Sequence, residues 1–174
     1  MVRGWLLRLL RNNTTFTVRY EFEYTRHESV SELSAEDAAL VALAFEAAER
    51  AYAPHSGFGV GAAVRLVSGR MEWATNQESE VFPSGMCAER VLLYGCQTRL
   101  SEEPIEVIAV ASADGAGECP PCGACRQVLL DTERRQGRPI RVLMCSRTTI
   151  TEVPSAACLL PFGFELPSEA ELKK

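Results

Sequence analysis

Apolar residues along this chain follow two spacings, and the two spacings alternate. Strict alternation, or a short continuous apolar run bounded by turn residues, predicts a strand, whereas apolar residues three or four apart predict a helix. The predicted strands cover residues 14–24, 58–66, 71–75, 105–112, 139–145 and 148–153. The predicted helices cover residues 34–53, 87–99, a segment opening at Pro121, and a short stretch at 154–160.

The order of these elements indicates the fold class. Strands interleaved with helices predict a single three-layer α/β/α domain, in which helices cover a central mixed sheet of about five strands. Ser34 followed by Glu36 and Asp37 has the composition of a helix start. We therefore predict a domain over residues 34–174, preceded by an extension over 1–33 whose segment 14–24 forms an extra edge strand.

Composition and charge restrict the possible partners. The chain has 174 residues, of which 47% are hydrophobic and 24% charged, with a formal net charge of -5. A protein that follows a nucleic-acid backbone usually carries a basic stripe, and none is visible in this sequence. A small free substrate is therefore favoured over a polymer.

The N-terminus has an apolar run that could be mistaken for a signal peptide. Arg8 interrupts this run, Arg11 follows it, and no cleavage site of small residues is evident. No later segment approaches the roughly 20 apolar residues of a membrane span. The expectation is a cytoplasmic protein without a membrane partner.

Cysteines are frequent and clustered. Five of the seven fall between Cys87 and Cys125, and residues 119–125 read Cys-Pro-Pro-Cys-Gly-Ala-Cys. Such clustering in an intracellular chain indicates a metal site rather than disulfides. Three cysteines stand in apolar surroundings and are predicted to be small core residues: Cys96, Cys145 and Cys158.

Two predicted helix starts carry the candidate chemistry. Cys122 and Cys125 lie three residues apart on one helix face, and Cys87 opens another helix that can supply a third thiolate. Helix N-termini lower thiol pKa values and so favour the thiolates that a metal requires. Three protein ligands leave a fourth tetrahedral position for water, which is the arrangement of catalytic Zn²⁺.

Glu89 follows Cys87 by two residues, so its carboxylate can lie beside such a water without binding the metal. In that position it could accept a proton from water and return it to a substrate. Three thiolates make zinc electron-rich, and a cation beside the sulfurs would offset this effect. Arg90 is the first candidate for that cation, and Arg126 is a weaker one.

Simpler explanations remain open for each residue. The cysteines could form a closed zinc knuckle with Cys119 or Cys145 as fourth ligand, although this leaves Glu89 without a role. Read alone, Glu89 is an acid in a first helical turn, and Arg90 is a solvated helix residue.

Five short motifs, in order, resemble those of the small cytidine deaminases. They read F-G-V-G-A-A at 58–63, N-Q-E at 76–78, P-S-G-M-C-A-E-R at 83–90, P-C-G-A-C-R-Q at 121–127 and L-L-P-x-x-F at 159–164. The resemblance covers roughly residues 35–165, and it includes the zinc-deaminase signature in its three-cysteine form. It implies a cytidine deaminase fold and the conversion of cytidine and 2′-deoxycytidine to uracil nucleosides with release of ammonia, as in pyrimidine salvage.

The resemblance also implies roles for individual residues. In similar enzymes the residues matching Asn76 and Glu78 hold the sugar 3′-hydroxyl, and the one matching Phe58 packs against the nucleoside. The backbone at Ala88 helps to read the base. The aromatic ring matching Phe164 reaches a neighbouring subunit's site, since three-cysteine members are typically homotetramers.

Three positions depart from the family pattern and leave the substrate open. Ser79 replaces a common Asn, His55 a frequent Tyr, and Phe82 another Tyr. The alternatives are a deaminase for a modified cytosine nucleoside of the blasticidin type, a non-enzymatic zinc module, and a nucleic-acid editor. The negative net charge of the chain disfavours the nucleic-acid editor.

Overall fold

A single mixed sheet forms the centre of the fold in the computed structural model, which describes residues 19–166. Its six strands are β1 (Thr25–His27), β2 (Val60–Leu66), β3 (Met71–Thr75), β4 (Ile105–Ser112), β5 (Arg141–Cys145) and β6 (Ile150–Val153). The spatial order is β1-β6-β5-β4-β2-β3, and within it β4 and β5 are parallel while the other neighbours are antiparallel. The prediction of about five strands plus an N-terminal edge strand is confirmed.

Helices cover both faces of this sheet, which confirms the three-layer α/β/α class. Helix α1 (Ala35–Ala48) packs on one face, and α2 (Ala88–Arg99) and α3 (Gly123–Gln136) pack together on the other. β4 is buried along nearly its whole length because helices lie above and below it. No helix within residues 19–166 has the length and apolar character needed to cross a membrane.

Contact between α1 and β2 depends on a glycine. A Cβ atom on Gly61 would lie 2.1 Å from the carbonyl oxygen of Ala44 and 2.3 Å from the amide nitrogen of Ala48. Only a residue without a side chain lets the helix approach the strand this closely. The close packing of α1 on β2 sets the position of β2, which begins two residues after Phe58.

Two helix boundaries differ from the prediction. α1 ends at Ala48 rather than residue 53, because Tyr52 pairs with the loop after β3: its N–H donates to Asn76 at 3.2 Å and its carbonyl accepts from Glu78 at 2.9 Å. α3 begins at Gly123, so Pro121 precedes the helix instead of occupying its first position. The predicted start of α1 is confirmed, since the Ser34 hydroxyl accepts the Asp37 N–H at 3.1 Å.

The predicted edge strand at 14–24 is displaced along the chain. Residues 19–24 are not in a strand, and β1 begins only at Thr25, whereas 14–18 lie outside the described residues. The physical reason is the partner: β6 ends at Val153, and Pro154 has no N–H with which to continue the ladder. The division at residues 33 and 34 stays a prediction.

Candidate metal centre and active site

The starts of α2 and α3 bring three cysteines together. Cys87 and Cys122 are the N-cap residues of the two helices, and Cys125 lies in the first turn of α3. The Cys87 and Cys122 sulfurs are 3.9 Å apart, those of Cys122 and Cys125 are 3.4 Å apart, and all three lie within 4.8 Å of one another. Tetrahedral zinc with Zn–S bonds of about 2.3 Å needs sulfurs about 3.8 Å apart. The triad therefore fits Zn²⁺, and the predicted cofactor is confirmed.

Electrostatics around the sulfurs differ from one cysteine to the next. Burial raises the pKa of the Cys122 thiol, but backbone N–H groups of the α3 start outweigh burial and leave that pKa below its ordinary value. Burial raises the pKa of the Cys87 thiol, with Arg90 acting in the opposite direction. The Arg90 Nη2 atom lies 3.8 Å from the Cys87 sulfur, and the role of Arg90 as a partner of the thiolates stays a prediction.

A fourth cysteine ligand does not join the triad. Within residues 19–166, the cluster close enough to share one ion contains Cys87, Cys122 and Cys125 and excludes Cys119 and Cys145. Cys145 packs in the core on the opposite face of the sheet, against α1. Within residues 19–166 the triad therefore has no fourth cysteine to close a zinc knuckle, and a tetrahedral ion held by the three thiolates would have one position left for water.

Glu89 is the second residue of α2 and lies beside this cluster. Glu89 is buried, with 4% exposure, and it is close enough to the triad that burial and then the Glu89 charge raise the pKa of the Cys125 thiol. Burial raises the pKa of Glu89, although its own backbone N–H, Cys125 and Arg90 oppose the shift. A carboxyl group with a raised pKa, next to a metal centre, can both accept and donate a proton near neutral pH.

A loop holding the predicted sugar-binding residues adjoins the metal centre. Gln77 and Met86 exchange backbone hydrogen bonds of 2.9 and 2.8 Å, which places residues 76–78 beside Cys87. The side-chain amide of Asn76 accepts the Val60 N–H at 2.8 Å and donates to the Phe58 carbonyl at 3.0 Å. Asn76 thus fixes the backbone that carries Phe58, a half-exposed residue. No local pattern in the chain predicts this bridge.

Glu78 is held by the loop that precedes β2. Its carboxylate accepts the N–H groups of His55 at 2.7 Å and Ser56 at 3.2 Å, and the Ser56 hydroxyl also donates to it. The Ser56 hydroxyl, followed by the His55 N–H, lowers the pKa of Glu78. The three departures from the family pattern meet here, because His55, Ser79 and Phe82 line one open depression with Glu78, and the His55 and Phe82 rings meet edge to face.

The remaining predicted site residues lie on either side of the metal centre. Ala88 is the buried first residue of α2, where backbone N–H groups have no acceptor inside the helix. Phe164 is separate from this group: its backbone is held by Gln127 of α3, and the residue is 67% exposed. Arg126 donates to the carbonyls of Pro121 and Leu159 at 2.8 and 3.3 Å, so it holds backbone rather than sulfur.

Comparison with known proteins identifies the class and then the family. An α/β fold with a three-thiolate metal centre beside a buried carboxylate defines a zinc hydrolase. A family model described as "Cytidine and deoxycytidylate deaminase zinc-binding region" matches residues 34–136. That match spans more than half of the chain, which therefore belongs to the cytidine deaminase family of zinc-binding enzymes.

Individual relatives agree with this assignment. A cytidine deaminase of Halalkalibacterium halodurans is 40% identical over 93 residues, which make up 53% of this chain and 68% of that protein. One from Sporosarcina psychrophila is 36% identical over 92 residues, 66% of its length. The crystal structure of a cytidine deaminase from Burkholderia pseudomallei superposes with a TM-score of 0.63 at 36% identity, covering 72% of this chain and 97% of that one.

Proposed function

We propose that this enzyme hydrolyses the 4-amino group of cytidine and 2′-deoxycytidine, yielding uridine or 2′-deoxyuridine and ammonia. The observation that carries the proposal is the buried Glu89 carboxylate beside the triad of Cys87, Cys122 and Cys125. This arrangement combines a site for water activation with a group that can transfer protons. The alternative of a non-enzymatic zinc module gives the buried carboxylate no role.

The reaction needs one water and two proton transfers. Zinc, when bound by the three cysteines, supplies Lewis-acid chemistry that makes water a better nucleophile near neutral pH. Glu89 takes a proton from the attacking water as the new C–O bond forms at C4 of the ring, and delivers it to ring N3. It then takes the remaining proton from the new C4 hydroxyl and passes it to the amino nitrogen, so the C4=O bond forms, the C4–N bond breaks and ammonia leaves.

Sugar binding is assigned to the loop that carries Asn76 and Glu78. Glu78 accepts three hydrogen bonds from His55 and Ser56, which leaves one of its roughly four acceptor sites for a sugar hydroxyl. Phe58 offers an apolar face, and the first backbone N–H groups of α2 at Ala88 suit the base. A grip on the 3′-hydroxyl gives no means to reject a 2′-hydroxyl, so ribo- and deoxyribonucleosides are both substrates.

The assembly we propose is a homotetramer that acts in pyrimidine salvage in the cytoplasm. Support comes from aromatic side chains that are more than half exposed in the single chain: Tyr24, Tyr52, Phe82, Phe162 and Phe164. Exposed aromatic residues are typical of protein interfaces. Under this proposal Phe164 completes the nucleoside site of a neighbouring subunit.

Glu89→Gln tests the function, with Glu36→Gln as a matched control because Glu36 is also the second residue of a helix but is exposed. Loss of the cytosine absorbance band is followed with cytidine and with 2′-deoxycytidine. We expect Glu89→Gln to lower turnover by about 10²–10⁴-fold while zinc stays bound, and the control to retain full activity.

Equal turnover in Glu89→Gln and in the wild type would refute the assigned proton transfer. A zinc-loaded wild type that consumes neither nucleoside would refute the proposed substrates. Consumption of a modified cytosine nucleoside alone would then identify the rival deaminase, whose substrate would meet the three departures from the family pattern at His55, Ser79 and Phe82.

A further inference from the structure

Side chains of α3 hold the segment formed by residues 157–166, here called the C-terminal segment. The Gln127 side chain forms two hydrogen bonds with the backbone of one residue in this segment. Its Oε1 accepts the Phe164 N–H at 2.9 Å, and its Nε2 donates to the Phe164 carbonyl at 3.0 Å. A single amide thus satisfies both backbone groups of one residue, as a neighbouring strand would. Arg134 adds a second donor to the same carbonyl at 3.2 Å.

The backbone just before Phe164 is pressed against α3. A Cβ atom on Gly163 would lie 2.3 Å from Cδ2 of Leu130, so the backbone at residue 163 lies directly against a side chain of α3. Phe162 has a φ of 57°, the left-handed region that a residue with a side chain rarely adopts. Such a conformation persists when surrounding contacts hold it in place, and it is frequent at functional sites.

The ring of Phe164 is nevertheless turned outward. Its exposure is 67% although its backbone is fixed at three hydrogen bonds. Burial against α3 would be the favourable outcome for a phenyl ring in an isolated chain. A fixed backbone with an exposed ring is suited to contact with something outside this chain.

We propose that Gln127 is a positioning residue for nucleoside binding. By fixing the Phe164 backbone it sets the direction of the Phe164 ring, and it lies two residues after the metal ligand Cys125. The first turns of α3 therefore supply a metal ligand, Cys125, to their own subunit, and also the side chain that orients the Phe164 ring toward a neighbouring subunit. This inference rests on the proposed function, in which Phe164 contacts the nucleoside of an adjacent subunit.

Gln136 of the same helix provides a matched control. Its Oε1 accepts the Ile105 N–H at 3.0 Å and its Nε2 donates to the Ile105 carbonyl at 2.8 Å. Gln136 therefore makes the same pair of hydrogen bonds to one backbone residue, at the opposite end of α3. Gln127→Ala and Gln136→Ala remove the same chemical groups from the same element. Only the first removes them from the segment that carries Phe164.

The experiment compares KM, kcat and zinc content for both variants in the zinc-loaded enzyme. We expect Gln127→Ala to raise KM for cytidine about three- to tenfold, with kcat nearly unchanged and zinc content equal to that of the wild type. Gln136→Ala should leave KM unchanged. In a Phe164→Ala background the Gln127→Ala effect should disappear, because the glutamine acts through the ring.

Hydrogen–deuterium exchange of residues 162–166 supplies a readout that does not depend on activity. Protection of the Phe164 amide should fall in Gln127→Ala and persist in Gln136→Ala. Retained protection, or an unchanged KM in Gln127→Ala while Phe164→Ala raises KM, overturns the positioning role. An unchanged KM in Phe164→Ala itself overturns both the positioning role and the proposed contact of Phe164, whereas the Glu89 test is unaffected.

Discussion

Arg90 links the metal ligands to the helix that carries Glu89. Its Nη2 atom lies 3.8 Å from the Cys87 sulfur, and its buried Nε atom finds no hydrogen-bond acceptor within residues 19–166. A guanidinium group placed against thiolates reduces the negative charge that three sulfurs bring to one ion. Arg90 is therefore expected to stabilise the thiolate form of the ligand set.

Replacing Arg90 by Ala is expected to weaken zinc binding about 10–100-fold, because the thiolates lose their neighbouring positive charge. Competition with a chromophoric chelator measures the change. Arg99→Ala is the matched control, since Arg99 ends the same helix with a side chain that is 62% exposed. Equal zinc affinity in Arg90→Ala and Arg99→Ala would show that Arg90 has no influence on the metal.

For individual site residues, the sequence predicts a shared site where the residues are close together in the chain. Cys87, Glu89 and Arg90 are close in sequence on one helix start, so their proximity could be predicted. Two sets of hydrogen bonds join residues that are far apart in the chain. Asn76 bonds to the backbone of Phe58 and Val60, and Gln127 bonds to the backbone of Phe164. Amide side chains pair with whichever backbone the fold brings near them, and no local pattern records that choice.

Helix α1 is anchored to the sheet by a buried carboxylate. Asp37 pairs with Arg65 of β2 at 2.8 Å and with Arg141 of β5 through bonds of 2.9 and 2.8 Å. Burial acts to raise the pKa of Asp37, but the hydrogen bonds from Arg141 and the positive charge of Arg65 outweigh it and lower that pKa. The position of this helix over β2 and β5 thus depends on a charge cluster as well as on apolar packing.

Asp37→Asn should lower the free energy of unfolding by about 3 kcal/mol at pH 7, because two arginines lose their buried partner. A carboxyl group whose pKa is lowered on folding stabilises the native state above its unfolded pKa of about 3.9, and this contribution is lost as pH falls through the folded pKa. Urea unfolding of the wild type and the variant at pH 7 and below pH 4 measures both effects. A difference that stays constant over that range would contradict the assigned ion pairs.

Element boundaries were predicted well where the local signal is complete. β3 and β4 have the predicted limits, since each is bounded by turn residues and filled with strand-forming side chains. α1 and β1 differ from the prediction because their ends are set by distant partners. Tyr52 leaves the helix to pair with the loop at Asn76, and β1 extends only as far as β6 offers backbone to pair with.

For the whole molecule, this chain has more residues than the compared structure accounts for, and residues 19–33 pack against the edge of the sheet. The Burkholderia pseudomallei enzyme is covered over 97% of its length by 72% of this chain. Within the extension, His27 contacts Glu152 of β6 at 3.1 Å, and the Tyr20 hydroxyl donates to the Ala157 carbonyl at 2.8 Å. The extension therefore covers the β6 edge and touches the segment that leads to Phe164, but supplies no member of the cysteine triad.

A chain that begins at Ser34 should still fold, bind zinc and deaminate cytidine, because Ser34 keeps the cap of α1 and all proposed site residues remain. It should unfold about 5 °C lower than the full chain, since the β1 ladder and the His27 and Tyr20 contacts are lost. A chain that begins at residue 19 is the control, because it retains β1 and both contacts. Thermal unfolding, zinc content and turnover of the three chains are compared. If the Ser34 chain lost zinc or activity while the residue-19 chain kept both, β1 would be part of the catalytic domain and the boundary at residue 34 would be wrong.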